Sequence, residues 1–228
     1  MKLISLHPLF FGNLERYTEA VCRVECWGMQ RSFWADPYLW IHLAGAAAVP
    51  LALLVCLLGL AAGDPILPPW LELGFVGAAG IAPIAWMQLQ KPFYIYSLLA
   101  VALRPEQLTE AQRKILGLFL ARRNPVATGI AAFVLFLVLK QIYAIAPIAE
   151  GITPIPSHGL GLIVAAIAFF GGNLFLQVPV SVGLVMLSSD AEYMQIAPIE
   201  VAQISKRLLV FGIPVNAIVP PLDTTTQN

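Results

Sequence analysis

Apolar runs of about 20 positions, separated by polar stretches, set the pattern of this chain, and a hydrocarbon layer of about 30 Å takes that many helical residues to cross. Lipid offers the backbone no alternative hydrogen-bond partner, so each run is expected to satisfy its own peptide groups as a helix. Four runs have the length: Trp40 to Ala62, Trp70 to Leu89, Val126 to Ala149 and Leu160 to Leu187. A fifth, "PFYIYSLLAVAL" from Pro92 to Leu103, is too short and is read as interfacial or re-entrant. The fold class predicted is all-α, a polytopic membrane protein with four transmembrane helices and one or two interfacial helices.

Between the second and third spans, "LTEAQRKILGLFLARRNP" carries Thr109 and Gln112 at capping-box spacing, which predicts a helix from there to about Asn124 and Pro125. Ile115, Leu116, Leu118, Phe119 and Leu120 give it an apolar side, and Arg113, Lys114, Arg122 and Arg123 are placed to meet anionic headgroups. The expectation is a helix lying on the inner membrane surface. After the fourth span, "APIEVAQISKRLL" predicts a short helix with Pro198 in its first turn. "VFGIPVNAIVPP" then reads as extended chain, packed on the surface helix or lending an edge to a partner. Residues 1–28 lack the apolar core and cleavage site of a secretory signal, and translation is expected to start at Met29. The organisation predicted is a cytoplasmic N-terminal segment (1–39), a four-helix membrane domain (40–187) whose residues 90–125 form a cytoplasmic interfacial segment, and a cytoplasmic C-terminal segment (188–228).

Charge placement orients the scheme. The segment between the second and third spans holds Lys91, Arg104, Arg113, Lys114, Arg122 and Arg123, whereas the other two loops offer only Asp64, Glu72, Glu150 and His158. Lysine and arginine near span ends favour the cytoplasmic side, so both termini and the middle loop are expected there. Trp34, Tyr38, Trp40 and Trp86 then mark the inner interface and Trp70 the outer one. Composition agrees: 59% of residues are apolar, 11% are charged, and mean hydropathy is +0.79. Equal numbers of basic and acidic residues, 13 each, leave no field to gather nucleic acid, which is excluded as a partner.

Candidate chemistry is sparse. Cys22 and Cys26 lack the companions of a zinc site and, with Cys56, are read as free thiols. Lys140 sits in the outer half of the third span, where its stem reaches the headgroups. Asp64, Glu72 and Glu150 read as solvated caps, and Ser157 with His158 lacks an orienting acid. No catalytic, metal or cofactor motif is present, and the expectation is a protein that is not an enzyme and holds no cofactor. The fourth span, however, contains Asn173, Gln177 and Pro179. Counted from Leu160, Asn173 lies about 20 Å down and Gln177 about 26 Å, and a spacing of four puts them on one face. They are read as interhelical adhesion, helped by a carbonyl that Pro179 frees near residue 175. The alternatives are a polar pathway or an interface with another membrane protein. Pro50 and Pro83 stand where they bend the first two helices, beside small residues such as Ala47, Gly77 and Gly80 that suit close packing.

The phrases "RSFWADPYLWIHLAG" (31–45), "KPFYIYSLLAVALRPEQLTEAQRKIL" (91–116) and "NLFLQVPVSV" (173–182) resemble the cyanobacterial low-complexity-tail membrane protein family. The resemblance implies no activity, cofactor or catalytic residue. It implies a cyanobacterial thylakoid or plasma membrane. The function expected is that of an accessory, assembly or scaffolding component of a membrane complex. Its partners are then lipids, including anionic headgroups, and a membrane protein or further copies of itself. A small transporter or channel with a route near Asn173 and Gln177 is the alternative.

Overall fold

A computed structural model describes residues 32–98, 100–122 and 125–219. Met29, Cys22, Cys26, Arg123 and Asn124 lie outside them. The chain divides into two units, Met1–Ala35 and Asp36–Asn228. In the first, the described residues make a 3-10 turn, Ser32–Ala35.

The second unit holds four helical passages long and apolar enough to cross a membrane: Pro37–Leu60, Pro69–Gln90, Pro125–Ile152 and His158–Met186. The first consists of two helices, α1 (Pro37–Gly45) and α2 (Ala48–Leu60). Asp36 caps α1 by accepting from the Tyr38 N–H at 2.9 Å, with Pro37 at the first position. Pro50 has no N–H for the Ala46 carbonyl, which takes a tighter bond from the Val49 N–H at 3.1 Å. The passage therefore breaks at Ala46 and Ala47. By contrast, Pro83 and Pro179 lie inside uninterrupted helices, α3 (Pro69–Gln90) and the long α6 (His158–Met186). The third passage is α5 (Pro125–Ile145) with a 3-10 extension, Ala146–Ile152.

Helix α6 is central and packs against α1, α2, α3 and α5. Its closest neighbour is α2, because Gly59 and Gly161 bring the two backbones together. A Cβ on Gly161 would stand 2.1 Å from the Gly59 carbonyl oxygen, and one on Gly59 would stand 2.6 Å from that of Gly161. Cys56, Val76, Leu139, Ala165 and Phe169 fill the space between the helices. Leu51, Phe75, Ile130, Phe133, Ile163 and Ile167 are exposed on the outside of the same passages. Helices apolar on both their inner and outer faces are what a lipid solvent selects.

Up-and-down passage places residues 91–122 and 187–219 at one end, where the described lysines and arginines other than Lys140 cluster. Residues 92–103 form no helix there. They make a hairpin, β1 (Ser97–Leu98) and β2 (Val101–Leu103), joined in parallel by β3 (Ile213–Val215) in the order β1-β2-β3. Aromatic and β-branched residues suit strands, and the C-terminal chain supplies the backbone partners a lone hairpin lacks. "GIPV" thus lends its edge to its own chain. Gly212, at φ +120°, lets it approach Val101 to a distance no Cβ would tolerate.

Helix α4 (Glu110–Ala121) has the expected capping box, with both Thr109 and Gln112 bonds formed. Its apolar side differs from expectation. Ile115, Leu116, Leu118 and Phe119 are buried under the protein itself, where α4 meets α6 and α7 (Asp190–Gln195). Gly117 lies against Ile196 and Ala197, so the chain after the fourth passage takes the place assigned to lipid. Helix α8 (Val201–Arg207) starts after an extended Glu200, which leaves Pro198 ahead of the helix rather than in its first turn.

Candidate functional site

Polar groups gather in three places, at the middle and the two ends of the membrane unit. In the middle, Asn173 and Gln177 of α6 are both 0% exposed. The Asn173 Nδ2 donates to the Gly80 carbonyl at 3.0 Å and the Gln177 Nε2 to the Thr128 carbonyl at 3.0 Å. Bare backbone at Gly80 makes the first bond reachable, since the same position also accommodates the Phe169 ring. Ser181 Oγ donates back to the Gln177 carbonyl at 3.0 Å and accepts from Gln88 Nε2 at 3.3 Å. The two amides therefore fasten α6 to α3 and α5. Their oxygens, Asn173 Oδ1 and Gln177 Oε1, are buried without a protein donor. Pro179 is buried within the same helix.

The end opposite the basic residues holds a cluster that sequence reasoning missed. Glu72, in the first turn of α3, is 0% exposed rather than a solvated cap. Its Oε1 accepts from the Ile66 and Leu67 N–H groups at 3.1 and 3.0 Å, and its Oε2 from the Tyr143 hydroxyl at 2.8 Å. His158 Nε2 stands 2.9 Å from Oε1, close enough for a charge pair although off the line of an aligned hydrogen bond. His158 Nδ1 faces the Ala62 carbonyl at 2.9 Å, and because a carbonyl only accepts, that nitrogen carries a hydrogen. His158 thus has the acid its sequence neighbours did not supply, and the acid is Glu72. Asp64 and Glu150 line an adjoining cleft of about 140 Å³ together with Tyr143 and His158. The signal was available: an acid inside a span is expensive and so comes paired.

At the basic end, half-buried Asp36 accepts from the Tyr96 hydroxyl at 3.1 Å as well as from the Tyr38 N–H. Burial raises its carboxyl above the usual aspartate range, against the lowering pull of those donors. Burial likewise pushes the Tyr96 phenol well up, reinforced by the Asp36 charge. Tyr38 and Tyr94 set ring edges against Tyr96, with centroids 5.0 and 5.7 Å away, and the Tyr94 hydroxyl donates to the Leu103 carbonyl at 3.0 Å. Tyr38, expected as an interfacial anchor, is a core ring instead, while Trp40, Trp70 and Trp86 are exposed as expected.

Of the basic residues expected to meet lipid, Arg123 lies outside the described residues, and Arg122 and Arg113 also contact protein groups. Arg122 pairs with Glu192, whose carboxyl is lowered by the Ser189 N–H and by that guanidinium. Arg113 reaches the Ile199 carbonyl at 3.5 Å, and its Nε is buried without a partner. Lys114 is half-buried. Lys140 is exposed and lines an outward groove with Trp70 and Leu73, and His42 faces the Tyr38 carbonyl at 2.8 Å. Among the described residues no three His, Cys, Asp or Glu side chains are grouped to hold a metal.

No curated protein and no solved structure matches this chain. The family described as low-complexity tail membrane protein-like matches across residues 35–220, which takes in all four passages, both polar ends and the three-stranded sheet. The phrases quoted from 31–45, 91–116 and 173–182 fall almost wholly inside that span, and the chain belongs to the low-complexity tail membrane protein-like family.

Proposed function

We propose that the protein is a non-enzymatic accessory, assembly or scaffolding component of a membrane protein complex. The observation that carries this reading is the commitment of the buried amide donors to backbone carbonyls of neighbouring helices. A bundle tied in this way favours a fixed shape over a moving path. Glu72 works in the same direction, since four donors or cations surround its two oxygens and leave it little capacity to act as a base. Clustered lysine and arginine support a cytoplasmic location for the sheet-bearing end and for both termini. The resemblance to cyanobacterial proteins favours a thylakoid or plasma membrane. Purification of tagged protein in mild detergent tests the proposal. A reproducible large partner is expected, and a solitary small particle overturns it.

A small transporter or channel is the second reading, favoured by one observation: the Asn173 and Gln177 oxygens are buried with no protein donor. On that reading, N173L/Q177L abolishes flux into liposomes while assembly persists. Unchanged flux removes it.

A further inference from the structure

The segment after α8 has an exposed chemistry that the fold does not use. Leu209, Phe211 and Ile213, at alternate positions, are 40%, 62% and 67% exposed. Lys206 and Arg207 in the last turn of α8 are exposed directly before them. The segment is tied to the foot of a membrane passage. Leu209 N–H donates to the Pro92 carbonyl at 3.0 Å, and its carbonyl accepts from the Tyr94 N–H at 3.1 Å, two to four residues beyond the end of α3. Exposed Lys91 stands at that end, and exposed Trp86 lies one turn earlier. Neither 201–219 nor 91–103 contains an acidic residue.

We infer that Lys206–Ile213 is an interfacial anchor that seats Leu209, Phe211 and Ile213 among the anionic lipids beside the basic-end terminus of α3. Three arguments select lipid as the occupant. Apolar side chains flanked by cations, with no acid among them, complement a negatively charged headgroup layer. The backbone tie at Pro92–Tyr94 makes the segment continuous with the lipid-facing belt that ends at Trp86. The α4 face that the sequence offered for this role is already covered by protein. A strand edge thus takes over the contact that periodicity assigned to a helix.

The test uses the full chain with Cys22→Ser and Cys26→Ser, one copy per lipid nanodisc. A nitroxide is attached at Phe211→Cys and, in a second variant, at Ile213→Cys. Collision with oxygen, which concentrates in lipid, is compared with collision with a water-soluble nickel chelate, and exposed Gln203→Cys on α8 serves as the aqueous reference. In discs containing phosphatidylglycerol, both labels should be oxygen-accessible and shielded from nickel. In discs of phosphatidylcholine alone they should resemble position 203. Each cation near an anionic surface contributes about fivefold, so K206Q/R207Q should lower the inserted-to-free ratio by about twenty-five-fold. Nickel accessibility equal to that at position 203 in anionic discs overturns the inference. So does exclusion of both reagents, which marks a protein-covered surface, and so does insertion that ignores lipid charge or K206Q/R207Q.

Discussion

Glu72 illustrates what a single ionisable side chain requires when a bundle encloses it. A carboxylate removed from water must have its solvent replaced by donors and polar neighbours, and here Ile66, Leu67 and Tyr143 donate while the His158 ring stands 2.9 Å away. Removing one side of the pair strands the other. H158L should therefore destabilise the fold by about 3 kcal/mol, and E72L/H158L by less than H158L alone, as read from denaturation in detergent micelles. Additive losses in the double variant would show that the two residues do not act as a pair. Asp36 makes a pH prediction of definite sign. Its carboxyl is raised in the folded state, so its contribution is complete below the ordinary aspartate range and is lost as pH rises through the raised value. D36N should remove that fall in acid-range melting profiles while keeping the cap, because asparagine also accepts from the Tyr38 N–H. The composition of residues revealed these acids, but their side-chain partners, Tyr96 for Asp36 and Tyr143 and His158 for Glu72, lie on segments far apart in sequence, so no local spacing announced either cluster. Asn173 was different. An amide deep in an apolar run has few alternatives to binding another helix, and it binds Gly80.

Helices formed where hydropathy placed them, because backbone satisfaction in lipid is a local demand met within each run. How closely they approach is set by glycines whose partners are remote. G161A pushes a methyl group into the Gly59 carbonyl and should cost about 2–4 kcal/mol or prevent assembly. G171A, ten residues along the same helix and with nothing within 4 Å of its added carbon, should be neutral or stabilising by up to about 1 kcal/mol. Thermal melts of the two variants in one detergent provide the comparison, and equal losses would contradict the tight crossing. Strands were the harder element to read. The run from Pro92 to Leu103 is apolar enough for a membrane and rich enough in aromatics for a sheet, and the balance was tipped by β3, more than a hundred residues later. The same remoteness explains α4, whose capping box was legible residue by residue while the cover over its apolar side came from Ile196 and Ala197.

At the scale of the whole molecule, an even number of passages brings 91–122 and 187–219 to one end, and the sheet joins them through β2 and β3. That joint gives the orientation a test. In sealed right-side-out vesicles, trypsin should leave the chain uncut at Lys206 and Arg207, and opening the vesicles should expose both, which project from α8. Cleavage at these sites before opening would invert the topology. The sequence by itself determined the four passages, their alternation, the segregation of cations to one end and the presence of two amides, Asn173 and Gln177, deep in the last apolar run. Those properties follow from local hydropathy and from the cost of polarity in lipid, both of which are read along the chain. Tertiary structure alone decided that Glu72 meets His158, that Gly59 meets Gly161, that Ile196 and Ala197 lie against α4 and that Leu209, Phe211 and Ile213 are exposed after α8. Each is an encounter between distant segments, and only the packed chain specifies which surfaces meet.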